Sequence, residues 1–139
     1  MILALDTSSL TVSVALLTYE SGEVGELVAF KDHFEPTHQQ SKRIFGLIDE
    51  LLVSQSKNID EIHALAVGVG PGSYTGIRVG LSLIKTWAFA KRLPVFRFSS
   101  LAVLQRGSAL SLKNLKAEDL IGLGPTESLV PVYEKDHFA

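Results

Sequence analysis

The first third of the chain alternates short apolar runs with polar breaks. Ile2 to Leu5 is apolar and stops at Asp6-Thr7-Ser8-Ser9, a cluster of turn-forming side chains. Val12 to Leu17 follows, Ser21-Gly22 interrupts it, and Glu26 to Phe30 opens a further run. Such runs, bounded by turn chemistry, predict a meander of three antiparallel strands with the first central and the third at an edge. After Pro36-Thr37-His38 the period changes. Ile44, Phe45, Leu47, Ile48, Leu51 and Leu52 recur at three- and four-residue steps, which predicts an amphipathic helix over 37–54. Ile62 to Val69 is a continuous aliphatic segment, the pattern of a strand covered on both faces. Ile77 to Lys91 is apolar around most of a helical circumference, so that helix must be deeply packed. Pro94 to Phe98 reads as another strand, making 62–98 a strand-helix-strand unit with parallel strands. Ser99 and Ser100 are natural caps for a short helix from Leu101 to about Ala109. Beyond Leu110 the pattern weakens, and only Leu129 to Tyr133 regains strand character.

Composition narrows the function classes. At 139 residues and 46% hydrophobic, the chain suffices for one domain with a substantial core. Its formal charge is -2 and its 13 Lys and Arg are spread along the sequence, so it lacks the footprint expected of a protein that grips nucleic acid unaided. There is no cysteine, which removes disulfides, thiolate catalysis and thiolate metal sites and fits a cytoplasmic protein. The N-terminus has no basic region and meets a charge at Asp6, so it reads as a strand rather than a signal peptide. No apolar run reaches membrane-spanning length.

Two segments carry candidate chemistry. The Asp6-Thr7-Ser8 turn offers hydroxyls and backbone N–H groups to a phosphate, and it equally fits an ordinary hairpin whose side chains satisfy the turn. Gly68-Val69-Gly70-Pro71-Gly72-Ser73-Tyr74-Thr75-Gly76 combines a flexible backbone with a helix start that Ser73 or Thr75 can cap, a potential anion site to which Gly72 and Ser73 belong. It is neither a dinucleotide fingerprint nor a Walker loop. Gly72, Gly76 and Gly80 follow at intervals of four and leave one side of the helix bare, with Ile84 and Ala88 extending that face and Trp87 beside it. Period alone leaves open whether this stripe meets the chain's own sheet or a partner. His33, His38, His63 and His137 have no metal-ligand spacing. Asp49-Glu50 and Asp60-Glu61 look like solvated faces, and Ser73 has no assignable histidine or aspartate partner for hydrolase chemistry.

Ile2 to Ser8, His38 to Leu52, Gly70-Pro71-Gly72-Ser73-Tyr74-Thr75-Gly76-Ile77-Arg78-Val79-Gly80 and Phe98-Ser99-Ser100-Leu101 together resemble the TsaB (YeaZ) family. The resemblance covers about residues 1–105, most specifically in the glycine segment. It implies an α/β half-domain of the actin/sugar-kinase/Hsp70 (ribonuclease H-like) type: a mixed sheet with three antiparallel strands, then a parallel strand-helix-strand, and helices packed on the sheet. It also implies a non-catalytic subunit that pairs with the transferase TsaD and supports threonylcarbamoyl transfer to adenosine 37 of tRNA. Where TsaD holds its metal by a His-x-x-x-His pair, this chain has Leu101-Ala102-Val103-Leu104-Gln105, so no catalytic centre, metal or cofactor is expected.

By position, the pairing helices are 37–54 and 77–91. Ile44, Ile48 and Leu51 on the first, and Gly76, Gly80, Ile84 and Trp87 on the second, are the candidate interface. Further implied contacts are the accessory ATPase TsaE, a second copy of the chain in a homodimer, and tRNA through the complex alone. Family members carry a second half-domain, so residues 1–110 read as the ATPase-fold half and 111–139 as a remnant tail in which Leu129-Val130-Pro131-Val132-Tyr133 resembles the family's closing segment. The competing readings are a small ATPase using Asp6 and the loop over 70–75, a glycoprotease-like enzyme, and a self-associating module.

Overall fold

The structure, a computed structural model, describes residues 1–37, 39–124 and 129–130. A six-stranded mixed sheet forms its centre, in the order β3-β2-β1-β4-β5-β6. The strands are β1 (Ile2–Asp6), β2 (Thr11–Glu20), β3 (Glu23–Phe34), β4 (Ala64–Gly68), β5 (Val95–Phe98) and β6 (Ile121–Gly122). β1 pairs antiparallel with β2 and β2 with β3; β1 and β4, then β4 and β5, are parallel, and β6 returns antiparallel on β5. The expected meander is present, with β1 central and β3 at the edge. The second and third strands are longer than their apolar runs, because β3 alternates exposed and half-buried positions and so continues through Lys31, Asp32 and His33. An edge strand wet on one face needs no continuous apolar run.

Alternation along β1 and β4 feeds two cores. Leu3, Leu5, Leu65 and Val67 point to the face covered by α1 (Gln40–Ser54) and α2 (Tyr74–Lys91). Ile2, Ala4, Ala64 and Ala66 point to the opposite face, where Phe98, Val103, Leu110, Leu112 and Leu115 complete a second cluster. The run of alanines on that face lets the segment after α3 (Ser100–Leu104) lie close to the sheet. Its attachment is also polar: the Leu112 N–H donates to Ser13 Oγ at 2.8 Å, and Ser13 Oγ donates to Asp32 at 2.5 Å. Residues just past 110 therefore belong to the packed body.

Several boundaries differ from expectation for local reasons. α1 starts at Gln40 rather than Thr37, since the Thr37 hydroxyl and N–H are taken by Glu35 in a turn, and buried Gln40 anchors the helix by donating to Ser9 O. α2 begins earlier, capped by Ser73 Oγ accepting from the Gly76 N–H, and ends at Arg92 in the left-handed region, φ 55°. α3 is one short turn and stops before Gly107-Ser108. The two-residue β6 gave no periodic signal. Leu129 and Val130 are not in a strand, although Leu129 is buried in the α1/α2 core; 131–133 lie outside the described residues. Among the described residues no helix is long and apolar enough to cross a membrane.

Candidate functional site

The polar turn after β1 and the glycine segment after β4 meet at the C-terminal ends of these parallel strands, the edge at which α/β sheets commonly bind ligands. Asp6, Thr7 and Ser8 are buried there. Ser8 donates to Asp6 Oδ1 twice, from its N–H at 2.8 Å and its hydroxyl at 2.6 Å, which closes the turn locally. The Thr7 hydroxyl donates to Gly76 O, and the Ser73 N–H donates to Ser8 O at 2.8 Å. On the far side Gly70 and Ser100 exchange two bonds: Gly70 N–H to Ser100 Oγ at 3.0 Å, and Ser100 N–H to Gly70 O at 2.9 Å. The Gly70-Pro71 peptide is cis and Gly70 has φ 98°, a conformation that glycine adopts without strain. The loop is thereby tied to β1 on one side and to the start of α3 on the other.

Asp6 Oδ2 sits beside the Ser100 hydroxyl, over the Cα of Gly68, and is buried without a hydrogen bond of ordinary geometry. Burial pushes this carboxyl above the usual aspartate range, and its bonds to Ser8 and Ser100 only partly oppose that. The five residues proposed as phosphate contacts, Asp6, Thr7, Ser8, Gly72 and Ser73, do converge. The polar atoms of the first three are turned inward, so the only one of these side chains at the surface is that of Ser73, itself used as the α2 cap. Among the described residues no group of three or more His, Asp or Glu has metal-site geometry.

The glycines at four-residue spacing face the chain itself. A Cβ on Gly72 would fall 2.5 Å from Ser8 O, one on Gly76 2.1 Å from Thr7 O, and one on Gly80 2.5 Å from Thr7 Oγ1. Ile84 is fully buried below them, and Trp87 is half-buried. On α1, Ile44, Ile48 and Leu51 are likewise buried in the core. Of the seven residues expected at a partner interface, six thus pack inside the chain, for a physical reason: they occupy the middle of the apolar arc that each helix lays on the sheet. Trp87 reaches the surface, and Ile48, though buried, lines the hollow between the helices.

What the two helices present outward is a dry hollow of about 250 Å³ between them, walled by Phe45, Ile48, Ile59, Leu83, Trp87 and Ala90. It continues along Phe45, Leu52, Val53 and Ile59 into a second of about 440 Å³. Phe45 is 64% and Val53 68% exposed, two large apolar side chains open to solvent about two turns apart on one helix. The signal for Phe45 was present in the periodic set, in which it lies one residue past the buried arc; Val53, Ile59 and Leu83 gave none, because their meeting depends on how α1 and α2 sit side by side.

The family model described as "TsaD: tRNA N6-adenosine threonylcarbamoyltransferase" matches residues 35–117. The chain is 40% identical over 107 residues to the tRNA threonylcarbamoyladenosine biosynthesis protein TsaB of Haemophilus influenzae, covering 77% of this chain and 42% of that protein. With the Escherichia coli protein of the same description it is 33% identical over 108 residues, covering 77% and 43%. YeaZ from Pseudomonas aeruginosa superposes with a TM-score of 0.65 at 25% identity, over 94% of this chain and 67% of that one. The chain spans less than half the length of these curated relatives. The mixed sheet with helices packed on it is the actin/sugar-kinase/Hsp70, ribonuclease H-like arrangement that these neighbours share. From the matched segment, the sequence identities and the shared architecture together, the chain belongs to the TsaD-related threonylcarbamoyladenosine family and stands within it among the TsaB (YeaZ) proteins.

Proposed function

We propose that this chain is a non-catalytic pairing subunit in the synthesis of threonylcarbamoyladenosine in tRNA, acting in the cytoplasm by docking onto a TsaD-type transferase. The observation that carries the reading is the exposed apolar hollow between α1 and α2, whose walls include Phe45, Ile59 and Leu83. An apolar patch of this kind on rigid helices suits the buried centre of a protein interface. We assign the interface to the outer flanks of the two helices, with Trp87 and Ile48 lining the hollow and Ile44, Leu51, Gly76, Gly80 and Ile84 acting as the scaffold beneath. The non-catalytic reading draws support from Asp6, the group an ATPase would need, which is sealed from solvent and held by its own turn.

The test is to mix the chain with its TsaD homologue and measure the mass of the complex by size-exclusion light scattering. Wild type is expected to form a heteromer, and Phe45→Asp to weaken it by at least about tenfold, since burying an unpaired carboxylate costs more than the ~1.4 kcal/mol this requires. Circular dichroism of Phe45→Asp should match wild type. Undiminished pairing by a folded Phe45→Asp rejects this surface. A discrete dimer of the chain alone, dispersed by the same substitution, favours the self-associating reading, for which the hollow is equally suited.

A further inference from the structure

The formal charge of -2 conceals a segregation of sign along the chain. Residues 1–61 hold ten acids and four bases, residues 62–117 hold eight bases and no acid, and residues 118–139 hold five acids and one base. The basic block contains α2, packed on β4 and β1, and β5, whereas the edge strand β3 belongs to the acidic first segment. Eight of the 13 Lys and Arg residues thus fall in a stretch that holds no acid.

Within this block α2 has three faces. Ile77, Gly80, Leu81 and Ile84 are buried, and Leu83, Trp87 and Ala90 face the hollow toward α1. The third face carries Tyr74, Arg78, Lys85, Phe89 and Arg92, all exposed and spaced by threes, fours and sevens, so that they form one stripe. It runs the length of an 18-residue helix, about 27 Å. Arg97 adds a cation on β5, two residues from Val95 and hence on the sheet face that α2 covers. Among the described residues none of Arg78, Lys85, Arg92 and Arg97 has a carboxylate within ion-pair distance, whereas the bases Arg43, Lys57 and Arg106 each do. Phe89, 89% exposed, lies between Lys85 and Arg92, while at the start of the helix the Arg78 guanidinium lies 5.2 Å over the Tyr74 ring. Cations without partner acids among the described residues, with the open face of Phe89 between two of them, match phosphates and a base along a strand.

We propose that the outer stripe of α2, from Tyr74 to Arg92 with Arg97 beside it, is a docking surface for single-stranded RNA. Arg78, Lys85, Arg92 and Arg97 take phosphates, and Phe89 gives a base a platform. That the strand is RNA rests on the function proposed above; that the stripe accepts a single strand rests on its own composition and spacing. The stripe lies on a different side of α2 from the hollow, so pairing with a transferase leaves it open. This revises the expectation that the chain meets tRNA through its partner alone.

The test titrates the full chain, without partner, into a fluorescein-labelled single-stranded RNA of about fifteen nucleotides and follows anisotropy. Three to four phosphate contacts give a log–log salt slope of about -2 to -3, so affinity should fall roughly 20- to 50-fold between 50 and 200 mM salt. The doubly reversed variant Arg78→Glu/Lys85→Glu should lose at least about tenfold at the lower salt and flatten the slope. Phe89→Ala should lose about fivefold or more. Lys42→Glu, on α1, serves as the control and should change nothing, with circular dichroism confirming that each variant is folded. The proposal is overturned if wild type shows no binding at 50 mM salt, or if Lys42→Glu weakens binding as much as the stripe variant does. It is equally overturned if Phe89→Ala is silent while anionic lipid vesicles bind as tightly as RNA, since the stripe would then be a membrane-facing cation patch. Failure on any of these counts leaves the mass of the complex with TsaD unaltered, so it is distinguishable from failure of the pairing reading.

Discussion

Asp6 is the residue where local chemistry and burial disagree most. Its carboxyl is raised by desolvation, which its bonds to Ser8 and Ser100 only partly oppose. An acid whose folded-state value lies above its unfolded one supports the fold below the unfolded value, and loses that contribution as pH rises through the folded value. Wild type should therefore lose stability from about pH 4 upward through this group. Asp6→Asn, which keeps the acceptor for Ser8 and removes the titration, should show a melting temperature that gains on wild type as pH rises. Thermal scans between pH 4 and 8 check this; parallel curves would mean that Asp6 ionises freely. Gly76 supplies the second residue-scale prediction. Alanine in a helix interior usually gains about 1 kcal/mol over glycine, but here the Cβ meets a backbone carbonyl that has little freedom to retreat. Gly76→Ala should lower the urea midpoint by the equivalent of about 1–3 kcal/mol.

Among the elements, those with a strong period were legible and those defined by contact were not. β1, β2, β4, β5 and α2 were legible because their apolar runs are continuous or nearly so, and such runs are dictated by burial on a central sheet or deep packing. The start of α1 departs from the periodic reading because Glu35 takes the Thr37 N–H and hydroxyl, α3 ends at Leu104 with no signal in the sequence, and β6, at two residues, has no period. The convergence of the Asp6 turn with the glycine segment was legible as two motifs, while their mutual satisfaction required the register of β1 on β4. The small-residue stripe admitted two meanings in sequence, and the distances from Gly72, Gly76 and Gly80 to Thr7 and Ser8 decide for the intramolecular one. Gly80→Arg should accordingly abolish the folded circular-dichroism signal rather than leave a folded monomer that fails to pair. A soluble, folded Gly80→Arg would contradict this packing.

At the scale of the whole molecule, the reading of a pairing half predicts that the chain alone does not thread substrates through a turnover cycle. With the threonylcarbamoyl donor and tRNA it should give no modified nucleoside, and adding TsaD should restore product; modification by the isolated chain, detected by nucleoside mass spectrometry, would refute the non-catalytic assignment. The basic stripe of α2 and the exposed acids Glu20, Glu23 and Glu26 around the β2–β3 turn have a physical consequence of their own. They give the protein surface patches of opposite sign that its small net charge does not reveal. Near the isoelectric point, where monopole repulsion vanishes, such patches attract those of opposite sign on neighbouring copies, so concentrated solutions should be cloudiest in low salt and clear as sodium chloride screens the attraction. For the same reason one buffer should let the protein adsorb to both anion- and cation-exchange resins, each resin meeting the patch of opposite sign.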